Sequence, residues 1–247
     1  EQGRRIREAF VPREKDWVLL AADYSQIELR LMAHLSGDES LIESFRAGED
    51  IHARTAALVN DVDLDGVTGE MRRAAKAINF GILYGMGARA LGQSIGVPTK
   101  KAQGFIDEYF ARLPKVRTWI DRTVEAAAVD REVRTMFGRR RKLPELASKD
   151  PRQRAFGERI AVNTPIQGSA ADLIKKAMID LDARIESEGL PARMLLQVHD
   201  ELVLEVPEKD KDALREIVVD AMENVAELAV PLAVDAHFGA TWAAAHA

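Results

Sequence analysis

The stretch "MLLQVHDELVLEV", Met194 to Val206, constrains the fold more than any other part of this chain. Two apolar runs flank His199, Asp200 and Glu201, so the segment reads as a β-hairpin with a charged tip. A tight hairpin normally carries Asn-Gly or Asp-Gly, whose backbones accept the positive φ the turn needs. Acids and an imidazole stand here instead. Two readings are open at this point: a solvated turn, or a tip that holds something charged.

A second strand signal lies near the other end. In "DWVLLAADYS" the apolar run Trp17 to Ala22 ends in Asp23 and has the length of a buried strand. After it, Ile27, Leu31 and Leu35 recur at helical spacing. From about Ser36 to Arg154 the pattern is almost entirely helical. Pro98 marks a new helix start, Pro114 a break or another start, and Gly138 and Pro144 bracket a loop or short hairpin. A long helix is expected from Ser169 to about Glu188, stopped by Gly189 and Pro191. A further helix, about Asp210 to Leu228, precedes a last strand, "VPLAVDAHF". No internal repeat or low-complexity linker interrupts the chain. The fold class is therefore α+β, a small sheet interrupted by a helical lobe.

Composition narrows the function. The chain has 247 residues, 47% hydrophobic and 30% charged, as expected of a globular protein of one or two domains. It has no cysteine, which excludes a disulfide framework and any thiolate metal site. No apolar run approaches membrane-spanning length, and "EQGRRIREAF" lacks a signal-peptide core, so no membrane partner is expected. The net charge is −5, yet "REVRTMFGRRRK" (131–142) carries six Arg/Lys against one Glu. Such a tract is either a solvated charge run or a seat for a polyanion.

Three constellations could carry chemistry. Asp23 and Asp200 each sit at a strand end. In one sheet their carboxylates could converge, and convergent acids suit Mg²⁺, which takes oxygen ligands and water. The competing reading has Asp23 cap the helix after it. The second constellation, "MRRAAKAINFGILYG", places Arg72, Lys76, Phe80 and Tyr84 at steps of four along a helix. The cations suit a polyphosphate and the rings a base or sugar; the alternative buries the rings and solvates the cations. In the third, "ERIAVNTPIQGSAADL", Arg159, Asn163 and Gln167 are again four apart, with Pro165 and Gly168 disturbing any regular helix. Donor-rich side chains of this kind can reach minor-groove acceptors, or can serve as caps and turn formers.

Together these segments resemble the polymerase domain of family A DNA polymerases, the bacterial DNA polymerase I type. "DYSQIELR" is similar to the family's motif A, "RRAAKAINFGILYG" to motif B and "QVHDEL" to motif C. "RIAVNTPIQGSAADLIKKAMI" and "TMFGRRRKLP" match further characteristic stretches. The resemblance implies a right-hand polymerase fold. Residues 1–37 and 155–247 would form the palm, an antiparallel sheet with helices, and 38–154 a helical fingers subdomain. It implies DNA-directed DNA polymerase activity in replication or repair, on primer–template DNA and dNTPs, with two Mg²⁺ ions for which Mn²⁺ could substitute.

Residue by residue, the resemblance makes Asp23, Asp200 and the backbone carbonyl of Tyr24 metal ligands, with Glu201 a supporting carboxylate. It assigns the triphosphate to Arg72 and Lys76 with help from His52, the sugar and base to Phe80, and the nascent pair to Tyr84. Glu28 would be the steric gate against a ribose 2′-OH, with Gln26 nearby. Arg159, Asn163, Gln167 and His199 would touch the primer–template, and Arg139, Arg140 and Arg141 the DNA backbone. Closure of the helical lobe onto a correct pair would complete the site.

The family carries a thumb and an earlier palm segment ahead of the position matching residue 1, often with nuclease domains before them. The expectation is thus a chain that starts inside the palm, without thumb or nuclease, in the cytoplasm of a bacterial or phage-infected cell. Two hypotheses follow: a polymerase core, or a fragment that binds dNTP and DNA but is weak or silent without the upstream segment.

Overall fold

The computed structural model describes residues 2–246. In chain order the elements are α1 (Gln2–Glu8), β1 (Trp17–Tyr24), α2 (Ile27–Ser36), α3 (Glu39–Arg46), α4 (Ile51–Asn60) and α5 (Gly69–Leu83). Next come α6 (Ala88–Ile95), α7 (Thr99–Arg112), α8 (Pro114–Asp130), β2 (Glu132–Arg134) and β3 (Arg140–Lys142). The chain closes with α9 (Pro151–Glu188), β4 (Arg193–Val198), β5 (Glu201–Pro207), α10 (Lys211–Glu223) and β6 (Val234–Gly239). Two compact units result, one of residues up to Ile27 and from Ala170, the other of Glu28–Ser169.

The first unit is built on an antiparallel sheet of order β4-β5-β1-β6. β1 is central because it is apolar on both sides: Leu20 and Ala22 face one way, Leu19 and Ala21 the other, and all four are buried. Leu20 pairs with Leu204 and Ala22 with Leu202, and α10 packs against these strands with Leu214, Val218 and Met222 buried. Burying each such side chain contributes about 1.5–3 kcal/mol. On the opposite face Leu19, Ala21 and Val203 form a core with Trp242 and Ala245 from the carboxyl-terminal segment. Gly239 permits this return of the chain, since a Cβ there would lie 2.3 Å from the Ala245 nitrogen.

The helical unit has capped, sharply bounded helices. Asp38, Asp50 and Thr68 each accept a backbone N–H from the first turn of α3, α4 and α5. Gly96 ends α6 at φ 72°, a conformation glycine takes without steric cost. The tract between Gly138 and Pro144 does form part of a short hairpin, β2 with β3.

Several expected boundaries move. α9 begins at Pro151 rather than Ser169 and runs unbroken through Pro165. A proline inside a helix costs about 3 kcal/mol, but Pro165 and its neighbours Thr164 and Ile166 are buried, which offsets the lost hydrogen bond. Gly168 answers a packing need: a Cβ would meet the Thr135 methyl at 2.6 Å. The last long helix stops at Glu223, short of Leu228, and the final strand starts at Val234 rather than at Val230. α1 had no counterpart in the sequence reading.

Candidate functional site

Strand register, rather than sequence proximity, assembles the acids of the sheet unit. Asp23 is the penultimate residue of β1 and pairs with Glu201 on one side and Asp235 on the other. Directly opposed residues share a face, so three carboxylates form a row across β5, β1 and β6. Asp200 sits in the two-residue turn beside it, where Val198 pairs with Glu201. His199, the first residue of that turn, takes φ 55° without being glycine, and Gln197 Nε2 donates to its carbonyl at 2.6 Å. The Tyr24 N–H donates to the Asp200 carbonyl at 3.2 Å and ties the turn to the end of β1.

The expectation of a helix cap is not met at Asp23. It belongs to the strand, and α2 starts only at Ile27, so Asp23 does not cap that helix.

Electrostatics at the tip are unbalanced. The Asp23 carboxyl is pushed up to about 7 by burial first, then by the charges of Asp200 and Glu201, a side-chain hydrogen bond with Asp200, and the charge of Asp235. Its Oδ1 is buried without a hydrogen-bond partner, and so is Oε1 of Gln26, a residue held at φ 54° just after the strand. A row of like charges with an orphan carboxylate oxygen is short of positive charge. Oxygen donors of this kind fit a hard divalent cation.

Glu201 stands apart from its neighbours because its carboxylate is already engaged. Trp242 donates its indole N–H to Oε1 at 2.9 Å, and His246 Nε2 lies 2.9 and 3.0 Å from the two oxygens. The Trp242 ring is itself fixed by an edge-on contact with Phe10 and by the Arg7 guanidinium 4.9 Å above it. The carboxyl-terminal segment thus aims one acid of the row.

The helical unit carries the opposite charge. Arg72 and Lys76 are exposed on α5, and Arg72 Nε donates to Asp50 Oδ2 at 2.5 Å. Burial works against the Asp50 charge, yet the bonds from Arg72 and from the backbone N–H groups of Ala53 and His52 hold its carboxyl below the usual range. Phe80 lies between His52 (ring centroids 5.9 Å) and Tyr84 (6.3 Å, stacked). Tyr84 donates its hydroxyl to Glu28 Oε2 at 2.5 Å, so the expected gate residue and the last aromatic of the stripe form one group. Burial pulls the His52 imidazole down; Asp50 opposes this, and Arg72 and Lys76 reinforce it.

On α9, Arg159 packs along Gly85 and over the Phe156 ring at 5.7 Å. Asn163, with its amide oriented by its surroundings, donates to the carbonyls of Leu83 (3.0 Å) and Arg159 (3.2 Å), which joins α9 to the end of α5. Gln167 is exposed. Arg139 donates to the Gly168 carbonyl at 2.8 Å, Arg141 reaches the Thr164 hydroxyl at 3.4 Å, and Arg140 lies 3.7 Å from Glu132. Arg139 and Arg141 therefore tie the basic hairpin to α9, while all three arginines stay exposed.

The structure brings Asp23, Asp200 and Glu201 together in one unit, and His52, Arg72, Phe80, Tyr84 and Glu28 in the other. Sequence reasoning missed Asp235, Trp242, His246, Asp50 and Asn79. "VPLAVDAHF" was recognised as a strand, but nothing local says which of its residues faces Asp23.

Comparison with known proteins fits this geometry. The DNA polymerase family A model matches residues 1–244. DNA polymerase I of Geobacillus stearothermophilus is 52% identical over 98% of this chain and 28% of its own length. The thermostable DNA polymerase I of Thermus aquaticus is 51% identical over 98% of this chain and 29% of its own. The POL domain of Pol1 from M. smegmatis, solved in complex with DNA primer-template and dNTP, superposes with a TM-score of 0.94 at 46% identity, over 100% of this chain and 44% of that one. The fold is that of a polymerase domain. The chain belongs to DNA polymerase family A, and it spans under a third of the length of the curated relatives it matches. Among the described residues no helix is long and apolar enough to cross a membrane.

Proposed function

We propose that this chain binds an incoming dNTP and joins it to a primer 3′-OH under template direction, releasing pyrophosphate, in DNA replication or repair. The observation that carries the reading is the acidic tip: Asp23 and Asp200 side by side, one with an orphan oxygen and a carboxyl raised to about 7. On this reading residues 1–37 and 155–247 are palm and 38–154 fingers. α2 and the first part of α9 are then palm segments that pack with the helical unit.

Asp23, Asp200 and the Tyr24 carbonyl would hold two Mg²⁺ ions, or Mn²⁺ in their place, which supply Lewis-acid activation of the 3′-OH and neutralise phosphate charge. Glu201, clamped by Trp242 and His246, stiffens the tip beside them. Arg72 and Lys76 take the triphosphate through charge-assisted hydrogen bonds, and Arg72 exchanges its Asp50 partner for phosphate. Phe80 packs on the sugar and base. Glu28, braced by Tyr84, fills the space a 2′-OH would need. Gln26 offers its unpartnered oxygen near the primer end. Arg159, Gln167, His199 and the Asn163 oxygen contact the duplex, while Arg139, Arg140 and Arg141 lie along its phosphates. These contacts sense pair geometry without reading sequence, because minor-groove acceptors are alike for every correct pair. The lack of cysteine and the bacterial relatives support a cytoplasmic location.

The test is Mg²⁺-dependent primer extension by this chain and by a chimera carrying the preceding polymerase segment of the Geobacillus relative. Asp200→Ala is expected to lower extension by about 10²–10³-fold, as loss of a group stabilising transition-state charge does. Equal extension by wild type and Asp200→Ala in both would refute the reading.

A further inference from the structure

His52, which the resemblance sets beside the triphosphate, sits in a buried polar chain whose other members, Thr55 and Asn79, have no part in the polymerase reading. α4 and α5 pack together, and between them Thr55, Asn79 and His52 are 4%, 1% and 4% exposed. The Thr55 hydroxyl donates to Asn79 Oδ1 at 3.0 Å, and Asn79 Nδ2 lies 3.0 Å from His52 Nδ1. With the Asn79 amide oriented this way its nitrogen faces the ring, and an amide nitrogen only donates, so in this orientation Nδ1 accepts. The proton of the neutral ring then resides on Nε2. We propose that Thr55 and Asn79 are positioning residues that hold His52 as the neutral Nε2–H tautomer, giving the triphosphate cradle a hydrogen-bond donor that adds no charge.

The surroundings agree from every side. Burial disfavours the imidazolium first; Asp50 opposes this but spends its oxygens on the backbone N–H groups of His52 and Ala53 and on Arg72, and Arg72 and Lys76 disfavour a third cation further. Phe80, tilted against the imidazole, restricts its rotation. Among the described residues no group accepts from Nε2.

The consequence concerns what the cradle distinguishes. An imidazolium would tighten binding of triphosphate and of released pyrophosphate alike, and tighter pyrophosphate slows product release. A fixed neutral donor adds direction without that penalty. This role for the tautomer rests on the dNTP-binding reading above; the tautomer itself does not.

The experiment is two-bond ¹H–¹⁵N correlation on ¹⁵N-histidine-labelled chain at neutral pH, with His52 assigned by the signal lost in His52→Gln. The expected wild-type pattern is a protonated Nε2 and a bare Nδ1. Asn79→Asp, which places an acceptor against Nδ1, is expected to protonate that nitrogen, and Thr55→Val to give a mixture of tautomers. A proton on Nδ1 in the wild type, or an unchanged ring pattern in Asn79→Asp, overturns the proposal. Inorganic tripolyphosphate is then titrated in. It is expected to move the His52 Nε2 signal and to bind about tenfold more weakly to Asn79→Leu, the loss of one net hydrogen bond. An unmoved Nε2 signal with the wild-type tautomer as expected overturns the cradle role and leaves the tautomer standing, so failure of the nucleotide reading is told apart from failure of the relay.

Discussion

The sheet unit and the helical unit each gather charge of one sign, and they fix it by different means. In the sheet, Asp23, Glu201 and Asp235 are placed by backbone register, and Glu201 is further gripped by Trp242 and His246. In the helical unit, Arg72 and Lys76 stand exposed on long side chains, and what is fixed is the layer beneath them, His52, Asn79 and Thr55. Burial, and then the charge of the neighbouring acids, raises Asp23 to about 7, whereas the cations are already solvated or paired with Asp50. A half-buried, self-repelling row is relieved by taking up a proton or a cation. A solvated cationic face needs neither, and can release one partner for another.

Three substitutions sharpen that contrast. The largest effect is expected at Lys76, because losing a charge-assisted bond to phosphate costs about 1.5–3 kcal/mol. Lys76→Ala should therefore lower kcat/KM for dNTP by roughly 10–10²-fold while leaving the melting temperature unchanged. Steady-state extension together with a melting curve checks both halves. Loss of stability in Lys76→Ala would mean the helical face is as structurally committed as the sheet tip.

Next is Glu28, which holds no phosphate. Glu28→Ala should relax dNTP-over-rNTP discrimination by roughly tenfold or more, the scale a steric fit can supply, measured as the ratio of kcat/KM values. Unchanged discrimination would remove the gate and leave the Tyr84 bond as its only role.

The smallest of the three lies in the sheet unit. Trp242→Phe keeps an aromatic side chain but removes the indole donor from a buried carboxylate together with part of the packed ring, with an expected destabilisation of about 1–3 kcal/mol, read by denaturant unfolding. If stability is untouched, Glu201 is not clamped as its hydrogen bonds indicate.

The two units also differed in how far they could be read from sequence. β1, β4 and β5 announce themselves as short apolar runs, and the α5 stripe by its step of four, because these signals are local. The pairing of Asp23 with Glu201 and Asp235 is not local; a slip of one residue would turn the acids to the other face. Pro165 misled for a related reason, since helix breaking is a local tendency and the burial that overrides it is tertiary. Asn79 escaped notice beside Phe80 because it lies off the stripe, on the buried side of the same helix. Trp242 and His246, in a short alanine-rich tail, gave no sign of reaching Glu201.

The central claim is that the acidic tip is a site short of positive charge, and thermal melting of wild type and Asp23→Asn across pH, with and without Mg²⁺, tests it most directly. A carboxyl raised from 3.8 to about 7 binds more protons folded than unfolded, so stability falls as pH rises between those values and levels off above. Without Mg²⁺, the wild type should lose stability relative to Asp23→Asn from about pH 4 to pH 7. Mg²⁺ added at about pH 7.5, above the folded value and so with the carboxyl mostly ionised, should raise the wild-type midpoint and leave Asp23→Asn unmoved. Parallel curves for the two proteins, unaffected by Mg²⁺, would contradict it.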